Sequence, residues 1–460
     1  MSSLAILPTE VLLRIMGHLP TQRDRLNLAR CNVRMYTELY LEAYSHMELD
    51  PCCCAQRVEK LVDFLLHNGY IAGKVKSLKL GRMWTCNKHP TAPVTTRSFD
   101  DILKHWIEKF GQSSTHGLQQ WWMRDLRTVD EPGVWQALLV FLLPNITYLE
   151  WLGDEPGSSS IESLLYGASL HLKFLNLTTT RAFQSLREVF FKVPLHTGPR
   201  ISRRTPRSNI AQLVPFFQTS SMRKIKVHGV IGACSRLVRP NSSPITHIEL
   251  HEGRSDSGFR ELIAPCANLK SFKYFYPDDM CGYSLAPHFC IKSLLDTISS
   301  KTHSLETLCL SYSQARDFDM SSNASIRTFK EFRVLKNLQL PMHTFLGLDD
   351  MENLALDDNT VDRVSACNFM PLARYLPPSL ERLCVTQWWV VASDGNMINQ
   401  LVNLVMSKHM FPHLVNIEIQ RIRDGSSGVD FLCPAIDEDN KRLSDACMEM
   451  GVDLISRMIA

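Results

Sequence analysis

Side chains that can bind metals or carry out covalent chemistry are scattered along this sequence without forming a known catalytic or metal-binding pattern. Cys86-x-x-His89 has one spacing typical of metal ligands, and Cys281 with His288 and Cys290 has another. Neither group supplies the paired Cys-x-x-Cys or His-x-x-x-His arms of a structural zinc site. The sequence also lacks a Gly-x-Ser-x-Gly elbow, a Walker-type glycine loop and a His-Glu-x-x-His helix. We therefore expect a protein that is not an enzyme and uses no metal or other cofactor.

A basic segment at residues 200–207 (RISRRTPR) is the most distinctive local feature that belongs to no predicted helix or strand. It has three interpretations, which are a solvated loop, a nuclear localisation signal and a phosphorylation site at Ser202 or Thr205. A phosphate at either position would offset the local positive charge. The residues alone leave these three interpretations open.

The composition is that of an ordinary globular protein and indicates neither a nucleic-acid nor a membrane partner. Of the 460 residues, 45% are hydrophobic and 21% are charged, and the formal net charge is +3. A charge so close to neutral gives no general attraction to nucleic acid or acidic lipid. The apolar run at residues 137–143 is far shorter than the ~20 residues of a membrane span. Because no secretory leader is recognisable and the 14 cysteines are scattered, we expect an intracellular protein of the cytoplasm, the nucleus or both.

Hexads with apolar residues at their first, fourth and sixth positions recur along the chain. Most of them follow an amphipathic stretch, as at residues 135–143, 161–170, 209–217, 259–267, 291–299 and 397–409. Ten such hexads are typical of the strand segment of leucine-rich repeats. The sequence therefore predicts an α/β fold, an irregular leucine-rich-repeat solenoid in which a curved parallel sheet is backed by outer helices. The hexads begin at Val75, Ile146, Leu172, Met222, Ile245, Leu269, Leu305, Leu335, Leu380 and Leu414.

These repeats are irregular in length and in turn chemistry. The hexads that begin at residues 222, 245 and 269 are 23 and 24 residues apart, within the range of about 20–29 expected for such repeats. Other intervals reach 71, 50 and 45 residues, so several repeats carry insertions. The asparagine that usually follows the strand is replaced by residues such as Thr180, Gly253 and Ser313. We therefore expect no regular asparagine ladder between the repeats.

Two insertions and a tail interrupt or follow the repeats. Residues 83–133 form the larger insertion, in which a helix is predicted at 99–110 and large aromatic side chains favour a packing role over a ligand site. Residues 198–208 are polar and basic and predict a loop. In the tail, residues 424–460, a Gly/Ser turn precedes a helix at 441–450 and an apolar stretch that would cap the last repeat. The tryptophans of the larger insertion are Trp84, Trp106, Trp121 and Trp122.

The concave face of the predicted sheet is the natural place for recognition. Side chains alternate along a strand, so the third and fifth hexad positions face away from the core formed by the fourth and sixth. We expect this face to bind a protein target, and the alternative is a solvated face that binds nothing. The residues predicted to contact the target are Lys79, Tyr148, Glu150, Phe174, Asn176, Lys224, Lys226, His247, Glu249, Lys273, Arg382 and Glu418.

A separate helical segment precedes the repeats. Pro8 suits the first position of its first helix, and Asp24 is a candidate cap for the second. Three short helices cannot bury all of their apolar residues among themselves, so one face must meet another body. The apolar residues at helical spacing are Val11, Leu12, Ile15, Met16 and Leu19, then Leu26, Ala29 and Val33, then Met35, Leu39 and Ala43.

The helical segment has a residue order that is specific enough to compare with a known family. It reads Leu7-Pro8-x-Glu10-Val11-Leu12-x-x-Ile15-x-x-x-Leu19-Pro20 and continues with Leu26-x-Leu28-Ala29-x-Cys31-Asn32-x-Arg34-Met35-Tyr36. It resembles an F-box, particularly the version found in fungal F-box proteins. In that family the segment docks on a Skp-type linker protein, which connects it to a cullin-RING ubiquitin ligase. The resemblance implies a substrate-recognition subunit of such a ligase. It assigns linker binding to Leu7, Pro8, Glu10, Val11, Leu12, Ile15, Leu19, Leu26, Leu28 and Met35.

The predicted organisation is an F-box at residues 1–50, a leucine-rich-repeat domain at 51–423 and capping helices at 424–460. One alternative is a leucine-rich scaffold without a ubiquitin role, in which the first helices are only a cap or bind the linker without a cullin. Another is an enzyme whose hexads are strands of a doubly wound α/β sheet. Cullin association distinguishes the first alternative, and the order of the strands in the sheet distinguishes the second.

Overall fold

The computed structural model describes most of the predicted repeats and the N-terminal helices. The described residues form two compact units, Met1–Gly229 and Val230–Ala460. Among them, no helix is long and apolar enough to cross a membrane. The described ranges are 4–19, 21–49, 55–81, 132–152, 183–192, 208–209, 213–228, 230–231, 238–251, 259–275, 291–311, 328–341, 371–388, 394–422 and 434–459.

The first unit begins with three helices and continues as strands separated by helices. Its helices are a 3-10 turn at Leu4–Ile6, α1 (Thr9–His18), α2 (Gln22–Ala29), α3 (Val33–Ala43), α4 (Ala55–His67), α5 (Gly69–Ala72), α6 (Pro132–Phe141) and α7 (Val214–Phe217). Its strands are β1 (His46–Leu49), β2 (Ser77–Leu80), β3 (Tyr148–Leu152), β4 (Glu188–Lys192), β5 (Ser208–Asn209) and β6 (Lys224–His228).

The second unit repeats the same alternation. Its helices are α8 (Phe259–Ile263), α9 (Ile291–Ile298), α10 (Asp394–Met406) and α11 (Pro434–Met450), with 3-10 turns at Ser299–Lys301, Leu372–Arg374 and Lys408–Met410. Its strands are β7 (Val230–Ile231), β8 (His247–His251), β9 (Ser271–Phe275), β10 (Thr307–Ser311), β11 (Asn337–Pro341), β12 (Arg382–Trp388), β13 (Asn416–Ile422) and β14 (Asp453–Ile459).

The long strands of each unit pair in parallel and in chain order. The order is β1-β2-β3-β4-β6 in the first unit and β8-β9-β10-β11-β12-β13-β14 in the second. Third hexad positions pair with third positions, so that Ser77 lies opposite Tyr148 and Tyr148 lies opposite Glu188. A doubly wound sheet reverses its strand order at a switch point, and the described strands of neither unit do so. The arrangement fits an α/β repeat solenoid and excludes the doubly wound alternative for these strands.

Nine of the ten predicted hexads coincide with strands of the structure, and the tenth, residues 172–177, lies outside the described residues. Their first, fourth and sixth residues are all buried, as Leu305, Leu308 and Leu310 illustrate with 0% exposure each. Strands β1, β4 and β14 and the two-residue strands β5 and β7 were not predicted. The strand that follows β3 in the sheet is β4, whose hexad begins at Leu186.

Serine hydroxyl groups connect neighbouring repeats. The serine just before a hexad donates its side chain to the carbonyl oxygen of the first hexad residue in the preceding repeat. Ser221 donates to Leu186 at 2.8 Å, Ser304 to Leu269 at 3.0 Å, and Ser379 to Leu335 at 2.9 Å. These bonds satisfy carbonyl oxygens of the preceding repeat and connect it to the next one.

Most predicted helices of the repeats are present with shifted ends. Those predicted at 135–143, 259–267, 291–299 and 397–409 correspond to α6, α8, α9 and α10, and those at 161–170 and 99–110 lie outside the described residues. The helix predicted at 209–217 was wrong at its start, where Ser208–Asn209 is a strand and the helix begins at Val214. Pro215 explains this difference because proline is tolerated only in the first turn of a helix.

The C-terminal tail contains a longer helix than predicted and one further strand. Helix α11 begins at Pro434, seven residues before the predicted start, with the proline in the first helical position. The apolar stretch that was predicted to cap the last repeat is β14, which pairs in parallel with β13. This pairing covers all seven residues of the strand, and Val452, directly before it, is buried.

The N-terminal helices begin at caps that differ from two predictions. Pro8 is extended and precedes α1 rather than occupying its first position. Thr21 caps α2, because its hydroxyl oxygen accepts the Asp24 N–H at 3.1 Å and donates to the Asp24 carboxylate at 2.7 Å. Asp24 therefore lies in the first turn, where its negative charge favours the helix dipole. Asn32 caps α3 by accepting the Met35 N–H at 2.8 Å.

Candidate functional site: an N-terminal apolar surface and a strand face

The three N-terminal helices pack around one small core. Two predicted linker-binding residues, Leu12 and Met35, lie inside it with 0% and 1% exposure. These two side chains expose almost no surface. They would therefore contribute to linker binding only indirectly, by packing in the core of the three helices. Leu7, Leu26 and Leu28 are partly buried against the core. Its buried members are Leu12, Met16, Ala29, Met35, Leu39 and Ala43.

The outer side of these helices is unusually apolar. Of the eleven large hydrophobic side chains that are exposed among the described residues, six lie in the first 36. The predicted linker-binding residue Val11 is 41% exposed, Ile15 and Leu19 are half-buried, and Pro8 and Glu10 are exposed. We call these six residues the N-terminal apolar surface: Leu4, Ile6, Val11, Leu13, Val33 and Tyr36. Exposed large apolar side chains concentrated in so short a segment favour association with a partner.

Polar contacts fix α1 against α3 beside this surface. The Thr9 hydroxyl donates to Glu38 at 2.6 Å, and the Arg34 guanidinium donates to the same carboxylate at 2.9 Å. The Thr9 hydrogen bond, followed by that from Arg34, lowers the pKa of Glu38. Arg34 also donates to the Leu7 carbonyl oxygen at 3.2 Å. The two helices are therefore held in one relative orientation, which a preformed docking surface requires.

The polar side of the sheet, here called the strand face, carries paired charges in the first unit. Lys224 contacts Glu188 at 2.6 Å, and Lys79 approaches Glu150 at 4.0 Å. The Tyr148 hydroxyl donates to Glu150 at 3.0 Å. Burial, followed by the charge of Glu150, raises the pKa of Tyr148, which stays protonated as a hydrogen-bond donor.

An aromatic contact completes the strand face of this unit. The Lys226 ammonium lies 5.2 Å from the centroid of the Phe190 ring, and the same ring lies 5.0 Å from that of His228. A cation beside an aromatic ring is attracted by its negative face. Together with the ion pairs, this gives a mixed surface of opposite charges and aromatic rings, suited to a protein partner rather than a simple polyanion.

The strand face of the second unit is similarly mixed. His251 contacts Glu249 at 2.7 Å, and Arg457 contacts Glu418 at 3.3 Å. Gln420 donates to Glu418 at 2.9 Å. The predicted residues His247 and Arg382 are exposed, and Lys273 is half-buried on the same face.

Two cysteines occupy fifth hexad positions on this face, where Cys309 is buried and Cys384 is partly buried. Burial raises the pKa of Cys309 to about 12 and that of Cys384 to about 12. Such thiols are protonated at neutral pH and are poor nucleophiles. Among the described residues, no group of three or more His, Cys, Asp or Glu side chains could hold a metal ion. The spacings at Cys86 and Cys281 lie outside those residues.

The structure brings together ten of the twelve predicted target-contact residues on the strand faces of the two units, and Phe174 and Asn176 lie outside the described residues. Sequence reasoning missed Glu188, Phe190 and Arg457. The first two belong to the hexad Leu186-x-x-Val189-x-Phe191, which fits the general pattern and could have revealed them. Arg457 lies on β14, whose register places Ser456 opposite Ile419, so its strand departs from the hexad pattern.

A comparison with protein-family models matches residues 201–425 to a leucine-rich repeat domain. This segment is similar to leucine-rich repeats in sequence as well as in fold. No F-box model matches the N-terminal helices, and no curated protein matches the chain. The leucine-rich repeat domain indicates protein–protein interaction as its general role, in agreement with the mixed strand face of its parallel sheet.

Proposed function

We propose that this protein is the substrate-recognition subunit of an SCF-type cullin-RING ubiquitin ligase. Its N-terminal apolar surface binds a Skp-type linker, and its strand face binds a protein target. The observation that carries the proposal is the concentration of exposed apolar side chains on a small helical segment with an F-box-like residue order. Such a surface is stabilised when a partner removes it from water. The ligase works in the cytoplasm, the nucleus or both.

In this proposal the chain performs no bond chemistry. Binding to the linker and to the target at the same time holds the target near a ubiquitin-loaded enzyme. The effective concentration of the target then reaches the millimolar range that short tethers produce. The hydrogen bonds from Thr9 to Glu38 and from Arg34 to the Leu7 carbonyl oxygen hold the first helical segment against α3, which lowers the entropy cost of docking.

Co-purification with a Skp-type linker tests the anchor of this proposal. Val11→Asp places a carboxylate on the predicted contact face, and its cost in a closed interface exceeds about 2 kcal/mol, or roughly 30-fold in affinity. Val11 is 41% exposed in the free protein, so the variant keeps its fold. We expect wild type to co-purify with the linker and Val11→Asp to lose it.

Met448→Asp is the matched control. Met448 lies on α11 with 77% exposure and belongs neither to the N-terminal apolar surface nor to the strand face. We expect this variant to retain the linker. A folded wild-type chain that leaves the linker unbound would contradict the proposal and show that the helices are a cap.

The leucine-rich match alone also supports a second candidate, a protein-interaction scaffold without a ubiquitin role. The two candidates differ in what accompanies the linker. Pull-down of the wild-type chain with linker and cullin present distinguishes them, because a ligase subunit recovers both and a scaffold recovers the linker without the cullin, or neither. Val11→Asp serves as the negative control in this assay as well.

A further inference from the structure

The residues at the second position of successive hexads form a row of side chains just before the strands. This row is distinct from the strand face. In the first unit the row from β2 to β6 reads Lys76, Thr147, Arg187 and Arg223. The carbonyl oxygen of each residue except the last accepts two N–H groups of the next repeat, as Arg187 does from Arg223 at 2.8 Å and from Lys224 at 2.9 Å. These pairs of hydrogen bonds fix the spacing of the side chains from one strand to the next.

The same row in the second unit is neutralised by carboxylates. Lys270 contacts Glu306 at 3.1 Å, and Lys336 contacts Glu381 at 3.2 Å, so cations and anions alternate along β9 to β12. The row of the first unit contains three cations and a threonine. The row of the first unit therefore has a single sign of charge, whereas the sign alternates at the equivalent positions of the second unit.

A cavity of about 740 Å³ lies along this row of the first unit. Among the described residues that line it, Lys74, Lys76, Arg187 and Arg223 are cationic and none is acidic. Its volume lies within the roughly 300–1,000 Å³ typical of small-molecule sites. The cavity therefore combines a suitable size with a single sign of charge.

Hydrogen bonds hold the walls of this cavity in place. Asn145 donates its side-chain amide to the Gly73 carbonyl oxygen at 2.7 Å, and the Thr147 hydroxyl donates to the Lys76 carbonyl oxygen at 3.0 Å. Arg223 donates to the carbonyl oxygens of Ser220 at 2.9 Å and Met222 at 2.7 Å. The cationic groups thus extend from a preorganised backbone, which reduces the entropy cost of binding.

We propose that this cavity binds a small ligand that carries two or more phosphate groups. Phosphate oxygens are strong acceptors for lysine and arginine, and arginine binds them through paired N–H groups. The strands from β2 to β6 are about 4.8 Å apart, so the row spans roughly 14 Å and one phosphate cannot reach both ends. Several linked phosphates match the row in both length and charge. This site is independent of the linker and target surfaces.

Isothermal titration of the full-length chain with sodium tripolyphosphate tests the proposal. We expect saturable binding with one ligand per chain and an affinity at least about tenfold higher than that for orthophosphate, because additional phosphates reach additional cations. Lys76→Gln with Arg187→Gln removes two exposed charges from the row and should weaken binding by about tenfold or more. Lys270→Gln, at the equivalent but neutralised position of the second unit, should leave the affinity unchanged.

Thermal denaturation verifies that the variants are folded, and tripolyphosphate should raise the melting temperature of wild type but not of the double variant. Co-sedimentation with phosphatidylcholine vesicles that contain phosphatidylinositol bisphosphate identifies the source of the phosphates. Sedimentation that requires Lys76 and Arg187 assigns the site to a lipid headgroup, and its absence assigns it to a free ligand. No binding of tripolyphosphate, or equal binding by the double variant, would overturn the proposal.

Discussion

At the scale of single residues, burial controls the chemistry of the cysteines. Cys31 is exposed, whereas Cys266, Cys309 and Cys447 are buried. Desolvation raises the pKa of Cys266 to about 12 and that of Cys447 to about 11. A thiol with a pKa near 12 has about one part in ten thousand as thiolate at pH 8. The buried cysteines among the described residues are therefore packing residues that resist modification in the folded protein.

Alkylation with iodoacetamide at pH 8 should distinguish these thiols. We expect Cys31 to react at least about 100-fold faster than Cys309 or Cys384, because the reagent attacks the thiolate of an accessible cysteine. Between pH 8 and pH 11 the rates at Cys309 and Cys384 should rise about tenfold per pH unit, since both pKa values lie near 12.

Peptide mapping by mass spectrometry measures these rates, with urea-unfolded protein as the control in which the thiols react alike. Comparable rates for Cys31 and Cys309 in the folded protein would contradict the burial of the strand-face thiols.

At the scale of elements, the contacts between repeats rely on hydroxyl groups placed just before the hexads. Ser304 donates to the Leu269 carbonyl oxygen across the boundary between two repeats. Ser300, four residues earlier, donates only to Thr297 within its own helical turn. The two serines therefore differ in what their hydrogen bonds connect, although both lie in the segment that leads to β10.

Ser304→Ala should lower the free energy of unfolding by about 1 kcal/mol, because it leaves a carbonyl oxygen of the neighbouring repeat without this donor. Ser300→Ala should change it by less than about 0.5 kcal/mol, as surface substitutions usually do. Urea denaturation monitored by circular dichroism measures both. An equal effect of the two substitutions would argue against a special role for the serines that precede the hexads.

At the scale of the whole molecule, the order of the strands makes stability a local property. Within each unit, the long strands pair with their neighbours in chain order. The free energy of such an array is approximately a sum over repeats and the contacts between adjacent repeats. A defect in one repeat should therefore affect that repeat and its neighbours more than distant ones.

Leu308→Ala in β10 tests this locality. The side chain is 0% exposed, and its truncation should cost about 2–5 kcal/mol. We expect hydrogen exchange to accelerate in β9, β10 and β11 and to remain near its wild-type rate in β13 and β14, as mass spectrometry of proteolytic peptides would show. Uniform acceleration across the second unit would indicate one cooperative block instead.

The sequence predicted the parts of the fold that depend on a short repeated pattern. Nine hexads gave the position and the buried side of nine strands, because three apolar residues in six determine both. Strand β1 was missed because its hexad begins with Tyr44 at the end of α3, where the helical pattern was stronger. The sequence predicted Asp24 as the cap of α2, whereas the structure has Thr21 at this position. Both residue types suit a helix start, and only the backbone geometry selects between them.

The candidate sites were predictable to different extents. Alternation along the strands located the strand face, but the pairing of Lys224 with Glu188 depends on two residues 36 positions apart. The cavity beside Arg187 requires the register of four strands, which no single segment of the sequence contains. Long-range pairing of this kind follows from the order of the strands rather than from local composition.

The carbonyl oxygen at the second hexad position accepts two N–H groups from the next repeat. This pair of hydrogen bonds fixes the register of the next strand against the preceding one, whatever the length of the segment between them. Segments between hexads can consequently lengthen or shorten without disturbing the sheet, whereas one residue added inside a hexad would turn its polar side chains inward. The chain thus consists of short hexads whose length is fixed and longer intervening segments whose length can vary.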